Sequence, residues 1–380
     1  MANFFKGYRK LLFVLGAFFL TSCLFAEKVV DTFESERQSF RLVRVIGGLA
    51  NPWGMAFLPG GGMLITERGG DLFRYRNGNL EEISGVPRVA ATGQGGLLDV
   101  ALHPGFEANR YVYFTYSSRY GGGAGTALGR GRLTGSRLSQ VEELFRINRP
   151  TNGGRHFGSR LVFGPDGYIY LSVGDRGARD RAQDTGDHAG SVLRLTEEGG
   201  IAAGNPYIDE SGALDELYTI GHRNIQGMTV HPETGEIWTH EHGPQGGDEI
   251  NRLEGGKNYG WPVISYGDEY GSGKPVGPNR APGLEQPILY WTPSIAPSAM
   301  TFYSGPHFPG WEGDLFVGAL AGRHLRRVRI RNDRVMEQEV LLSGVIGRIR
   351  DVRLGPDGKL YILTDERNGG LYRLDPAVRK

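Results

Sequence analysis

His156 and Asp175, nineteen positions apart, form the pair in this sequence best suited to move a proton. An imidazole titrates near neutral pH and a carboxylate on its far nitrogen fixes the tautomer, so the two fit a general base and its orienting acid. A histidine met singly is more often a satisfied structural residue, and the reading of His156 therefore depends on what gathers around it. Arg223, Arg348 and Arg350 bring fixed positive charge of the kind that pairs bidentately with a polycarboxylate, with salt bridges to Asp248 or Asp351 as the plainer alternative. The run Glu241-His242-Gly243-Pro244-Gln245-Gly246-Gly247-Asp248-Glu249 offers carbonyl and carboxylate oxygens, the hard ligands calcium prefers. His240-Glu241-His242 lacks the helix-borne H-E-x-x-H spacing of a zinc protease, so zinc is rejected.

Such residues need a scaffold, and the chain repeats one. Gly62 to Tyr75 reads almost like Gly358 to Leu374, so the two ends of the chain share a unit. An apolar strand, a Pro/Gly turn, a second apolar strand and then a third recur in six copies. They turn at Leu58-Pro59, His103-Pro104, Gly164-Pro165-Asp166-Gly167, His231-Pro232-Glu233-Thr234-Gly235, Phe308-Pro309-Gly310 and Gly355-Pro356-Asp357-Gly358. Each copy is too small to close a core alone, and radial arrangement about an axis buries its faces while leaving only short edges. The expectation is an all-β, six-bladed β-propeller of four-stranded antiparallel blades, with helix signals nearly absent. Tyr120 to Arg132 reads as a Gly-rich mobile surface loop, and Arg326, Arg327, Arg329 and Arg331 as a solvated strand face.

The repeat gives a positional test. In an antiparallel blade the start of the first strand lies beside the end of the second, on one face of the disk. Gln94, His156, Arg223 with Asn224, and Arg348 with Arg350 stand just before or within first strands; Asp175, Glu241 and Gly243-Pro244 follow second strands. All are expected to converge at one mouth of the axis, where a planar ligand could be clasped.

Composition is consistent with this plan. Of 380 residues 61 are glycine, roughly double the ordinary ~7%, with no three-residue period, so many turns in a packed core are expected rather than collagen or disorder. Lys plus Arg is 43 against 42 for Asp plus Glu, so no nucleic-acid partner is implied. Lys6, Arg9 and Lys10 followed by the apolar run Leu11 to Leu20 form a signal-peptide pattern too short to span a bilayer. Export to the periplasm is expected. Leu20-Thr21-Ser22-Cys23 reads as a lipobox, which gives a signal peptide over 1–22 and a lipidated Cys23 tethering an outer-membrane lipoprotein; cleavage after Ala26 is the alternative. Cys23 is the single cysteine, so no disulfide is expected in the propeller over 27–380.

The segments Gly93 to Val100, His156 to Leu161, Gly221 to Gly227, Glu241 to Ile250, Asn258 to Pro262 and Arg348 to Val352 together resemble the glucose/sorbosone dehydrogenase family of pyrroloquinoline quinone (PQQ) enzymes, the soluble aldose sugar dehydrogenases. The resemblance runs from about Leu49 to the C-terminus, and six motifs in one order make it specific. It implies that His156 takes the proton of the sugar C1 hydroxyl while the C1 hydride passes to the quinone, with electrons going on to an external acceptor. Asp175 would support His156, Arg223 would stabilise the developing oxyanion and Gln94 would orient the hydroxyl. By the same resemblance Asn224, Ser294, Arg348 and Arg350 hold PQQ, Gly243 and Pro244 offer main-chain oxygens to a calcium that also meets it, and Glu249 and Tyr259 belong to a second, structural calcium site. One departure stands out: the family often carries a lysine against PQQ after Ala-Leu, where this chain has Ala321 and, two residues on, Arg323. The competing reading is a propeller that binds carbohydrate or protein without catalysis. A calcium-stabilised lactonase-type propeller would need a ring of axial carboxylates, and this chain has too few at the right blade positions. The partners implied are a small sugar and the electron acceptor, to a monomer or homodimer.

Overall fold

The computed structural model describes residues 27–377, so the leader and Cys23 lie outside the described residues. Six antiparallel sheets follow one another along the chain. Their innermost strands are Pro52–Phe57, Leu97–Leu102, Leu161–Phe163, Ile225–Val230, Pro297–Phe302 and Ile349–Leu354, here defining blades one to six. Each innermost strand packs on the next, and that of blade six returns to blade one, which closes the ring. All six turns expected from the sequence fall between first and second strands. Among the described residues helix is confined to the single turn Phe106–Asn109 and two short 3-10 segments.

A strand between two neighbouring blades has no solvent face. The second strands Met63–Glu67, Ile169–Val173, Ile237–Glu241 and Leu315–Ala319 are accordingly buried at every position, whereas the outermost Arg334–Leu341 alternates exposed and half-buried side chains along most of its length. The apolar cores sit at the seams: Leu64 and Val100 between blades one and two, Leu128 and Leu171 between two and three, Val192 and Ile225 between three and four. Hydroxyls stitch the same seams, Thr66 Oγ1 donating to Leu98 O at 2.6 Å, Thr115 Oγ1 to Ser159 O at 2.8 Å and Ser298 Oγ to Ile349 O at 2.7 Å.

Blade six departs from the four-stranded expectation. Its C-terminal strands Leu360–Thr364 and Gly369–Pro376 are completed by Ser39–Leu49 from the other end of the chain, and Lys28–Glu34 adds a fifth strand outside it. The N- and C-terminal segments that read alike are neighbouring blades joined at this closure.

Two local readings are corrected. Tyr120 to Arg132 is not a mobile loop: Tyr111–Tyr120 and Gly123–Thr134 form a long hairpin turning at Gly121-Gly122. Its glycines serve packing, since a Cβ on Gly129 would lie 2.5 Å from the Phe114 ring and one on Gly125 2.4 Å from the Tyr120 hydroxyl. Nor is the arginine strand uniformly solvated. Arg327 is fully buried, bound to Asp314 and Glu339 at 2.8 Å and to Glu36 of the N-terminal segment at 3.2 Å, while Arg329 pairs with Asp314.

The axis is polar. Arg160, 1% exposed, donates to Asp99 of blade two at 3.1 Å, Gln226 O of blade four at 2.8 Å, Ser298 O of blade five at 3.0 Å and Arg350 O of blade six at 3.4 Å. It also pairs with Asp351 at 3.1 Å and stacks 4.2 Å from the Trp53 ring of blade one. One side chain from the entry to blade three thus touches all the others.

Candidate active site

His156 precedes the innermost strand of blade three and Asp175 follows its second strand Ile169–Val173, so the ring and the carboxylate meet across the hairpin, Nδ1 to Oδ1 at 2.6 Å. The His156 backbone is left-handed, φ 55°, an unusual conformation for a non-glycine residue and one that clusters at functional sites. Gly174 makes room for it, since a Cβ there would lie 2.2 Å from His156 O. Asp175 Oδ1 also accepts from Gly177 N at 2.6 Å, and Oδ2 accepts from Trp261 Nε1 at 2.9 Å.

Electrostatics assign the protons. Burial holds the His156 imidazole below its ordinary pKa, with Arg223 adding to the depression and Asp175 opposing it. Burial acts to raise Asp175, but its hydrogen bond with His156 and its other partners outweigh that and keep it below the usual carboxylate range. The pair is therefore neutral imidazole and carboxylate at pH 7. Nδ1–H donates to Asp175, and Nε2, with no partner among the described residues, is left as the acceptor.

Beside this pair lies a cavity of about 250 Å³ at the axial mouth, slightly below the ~300–1,000 Å³ usual for small-ligand sites. Gln94, Asn224, Arg348 and Arg350 line it, as expected from the sequence. Gln94 Oε1 accepts from His156 N at 2.7 Å, which turns its amide NH2 outward; Asn224 Oδ1 accepts from Gly158 N at 3.1 Å and likewise frees its NH2. Arg350 donates to Asp365 at 2.9 Å and Gln226 Oε1 at 3.0 Å, and Arg348 stands 3.6 Å from Asp365. The partner is thus Asp365, not Asp248 or Asp351. Burial lowers the Arg350 pKa, and its buried Nε has no hydrogen-bond partner. Three arginines, Arg68 included, face one carboxylate across walls of Trp53, Leu98, Phe157 and Leu320.

Arg68 and Asp365 were not singled out in the sequence, although the positional test reaches them. They follow the second strands Met63–Glu67 and Leu360–Thr364, the position in blades one and six that Asp175 holds in blade three. Ser294 behaves differently from the expectation. Its hydroxyl donates to Asp248 at 2.8 Å, and the cavity wall there is Ala296 instead.

Arg223 sits one blade on, donating to His242 O at 3.1 Å with its guanidinium 5.4 Å from the Trp261 ring. It borders a second, very small void that Glu241, Glu249 and Tyr259 also line. Glu241 accepts from His222 at 2.8 Å and from Arg223 N at 2.5 Å. Burial, and then Glu241 beside it, push the Glu249 carboxyl up to about 8, and no cationic side chain pairs with it among the described residues. The Tyr259 hydroxyl is committed elsewhere, donating to Arg252 O at 2.7 Å.

Gly243 begins a turn folded so tightly that a Cβ would lie 2.1 Å from Gly246 O, and its N–H donates to Asp248 at 2.9 Å. Pro244 O accepts from the Tyr270 hydroxyl at 2.7 Å. Among the described residues no three His, Cys, Asp or Glu side chains gather as a metal cluster, so a cation here would rest largely on main-chain oxygens. A larger cleft of about 640 Å³ opens on the opposite face between the turns of blades four and five. None of the expected site residues lines it.

A model of the glucose/sorbosone dehydrogenase family matches residues 49–373, and the chain belongs to that family. It is 45% identical over 336 residues to the aldose sugar dehydrogenase YliI of Escherichia coli, covering 86% of this chain and 91% of that protein. Identity to the quinoprotein glucose dehydrogenase B of Acinetobacter calcoaceticus is 28% over 432 residues, 91% of this chain and 89% of that one. Among solved structures, the apo form of the soluble aldose sugar dehydrogenase of Escherichia coli superposes with a TM-score of 0.86 at 43% identity, covering 89% of this chain and 100% of that one. The PQQ-bound aldose sugar dehydrogenase of Streptomyces coelicolor superposes with a TM-score of 0.74 at 28% identity, covering 92% and 98%.

Proposed function

We propose that this protein oxidises the C1 hydroxyl of aldose sugars to the lactone in a PQQ- and calcium-dependent reaction, with electrons passed to an external acceptor. The observation that carries the reading is His156, its Nδ1 tied to Asp175 and its Nε2 unengaged, beside a cavity holding three arginines against one carboxylate. The donor set fits PQQ: a flat acidic molecule matches guanidinium groups at its carboxylates and the rings of Trp53 and Phe157 at its faces. The unpartnered Arg350 Nε is a buried donor that such a ligand would satisfy.

When bound, PQQ with its calcium supplies the hydride acceptor that no side chain offers. The chain's own residues do the rest. His156 Nε2 accepts the proton of the C1 hydroxyl, and Asp175 keeps the ring in the tautomer that can do so and stabilises the imidazolium that forms. Arg223 holds positive charge against the sugar oxygen as it loses its proton, and the NH2 of Gln94 orients that oxygen. Arg348, Arg350 and the Asn224 amide hold the cofactor, and Trp53, Leu98, Phe157 and Leu320 exclude water. Ser294 acts through Asp248 on the Gly243-Pro244 turn, whose carbonyls would meet the calcium. Glu249, with Glu241 and the Tyr259 main chain, would hold a second, structural calcium.

The test is to add PQQ and Ca²⁺ to purified protein and follow dye reduction across a panel of aldoses. Absence of both PQQ binding and turnover would leave the non-catalytic binding reading in its place. We further propose that the protein is exported and held at the membrane by lipid on Cys23, supported by the pattern from Lys6 to Cys23 alone. Labelled palmitate entering the parent but not Cys23→Ser would bear this out.

A further inference from the structure

Arg176 is a buried cation with no anion bound to it. It is 3% exposed, and its hydrogen bonds go to neutral oxygens: Arg155 O, Gly153 O at 2.7 Å and Thr151 Oγ1 at 3.1 Å. Its Nε is buried without a partner, and the guanidinium lies 3.4 Å from the centre of the Phe157 ring. Burial draws its pKa down to about 10. Taking an unpaired guanidinium out of water is unfavourable by several kcal/mol, and an apolar side chain could fill the same space. What an apolar side chain could not do is gather three oxygens of one loop.

That loop leads into His156. Residues 152–158 belong to no strand, and backbone pairing with the neighbouring strand resumes only at Ser159, whose N–H donates to Ser172 O at 2.7 Å. The loop is pinned by the Ala124–Thr151 bridge at its start, by Gln94, whose N–H donates to Gly154 O at 2.7 Å and whose Oε1 accepts from His156 N, and by Thr126 Oγ1, which donates to Phe157 O at 2.6 Å. Arg176 grips the stretch between these points. It directly follows Asp175 with a left-handed backbone, φ 57°, so one turn addresses His156 twice: the carboxylate at Nδ1 and the guanidinium at the carbonyls leading into it.

We propose that Arg176 is a positioning residue for the general base, clamping 151–157 so that His156 Nε2 and the Gln94 amide face the cavity together. The proposal rests on the reading of His156 as that base. Lysine offers a point charge that cannot span three acceptors, and glutamine removes the charge.

The experiment measures Arg176→Lys and Arg176→Gln beside the parent, by steady-state kinetics, PQQ titration and amide hydrogen exchange of 151–157 in the cofactor-free protein. Misplacing a base by about 1 Å lowers kcat by up to ~100-fold, so both variants are expected to lose roughly 10- to 100-fold in kcat, with KM and PQQ affinity within about threefold. Protection of 151–157 is expected to fall. A merely structural arginine would leave folded variants turning over within about threefold of the parent, or put the loss in KM, and either result overturns the proposal. If Arg176→Gln does not fold, Arg176→Lys, which keeps the charge, decides it. A parent silent on every sugar would sink the dehydrogenase reading instead, and unchanged exchange protection would still overturn the clamp.

Discussion

Trp261 Nε1 donates to Asp175 Oδ2 at 2.9 Å while His156 Nδ1 donates to Asp175 Oδ1 at 2.6 Å, so one buried carboxylate ties the base of blade three to an aromatic side chain of blade four. The same indole lies 5.4 Å from the Arg223 guanidinium. A residue outside the expected catalytic set therefore joins the two halves of the site.

His156→Ala is expected to leave folding and PQQ binding nearly intact and to lower turnover by roughly 10²–10⁴-fold, the usual worth of a positioned general base. Asp175→Asn should fall in the same range, because an amide that donates to Nδ1 forces the proton onto Nε2. Dye reduction at the parent's rate by either variant would remove that residue from the mechanism.

Burial lowers the His156 pKa in the folded protein, so the neutral base persists to lower pH than an exposed histidine allows. The acidic limb of kcat should fall below the model-peptide value of about 6.5, and Arg223→Gln should move it upward by removing a cation. The stability sign agrees. The folded state binds this proton less readily than the unfolded chain, so the contribution of His156 is lost as pH drops through about 6.5 and below. A pH profile of kcat in parent and Arg223→Gln checks both signs.

Chelation is expected to abolish activity and lower Tm, because a metal held only by the folded state stabilises it by mass action. In EGTA the Glu249 acid, raised to about 8 from 4.5, makes the folded protein less stable as pH rises through that interval. Calcium should flatten that slope, and Glu249→Gln should flatten it without calcium. Melting curves that show no calcium response in the parent would remove the second site.

Leu320 lines the cavity and accepts from Arg348 at 3.4 Å, so the next residue, Ala321, stands at its rim, whereas Arg323 is exposed and outside it. Ala321→Lys should tighten PQQ binding by roughly ten- to a hundredfold, the worth of one charge-assisted contact, and Arg323→Ala should change it little. Titration of PQQ into the two apo variants separates these outcomes, and a costly Arg323→Ala would mean that Arg323 reaches the cofactor.

Removing Arg160 would leave Asp99 and Asp351, both fully buried at the axis, with Arg353 as their remaining cation, at 2.7 and 3.1 Å. Arg160→Met should lower stability by about 2–3 kcal/mol, below the ~3–5 kcal/mol of a buried pair broken from one side, because Arg353 keeps both carboxylates paired while the bonds to Gln226 O, Ser298 O and Arg350 O are lost. Denaturant unfolding measures it, and a loss under ~1 kcal/mol would show that the six blades hold the axis without this pin.

Much of this is legible in the sequence. The apolar strand and Pro/Gly turn repeat specified the blades and their turns, because a strand buried on both faces must be apolar along its length and a tight reversal needs special backbone residues. Antiparallel geometry then put His156, Asp175, Arg223 and Arg350 at one end of their blades. The sequence by itself therefore determined the architecture and the face at which these residues gather. Tertiary structure alone decided the pairings: Arg350 with Asp365 rather than Asp351, Ser294 with Asp248 rather than the cavity, Trp261 with Asp175, and Arg327 beneath Glu36. Arg350 and Asp365 meet across one hairpin, whereas the others join different blades or opposite ends of the chain, and no periodicity records which side chains packing brings into contact. The buried, anion-free Arg176 belongs with them, since its cost and its use appear only when the loop it grips is folded over it.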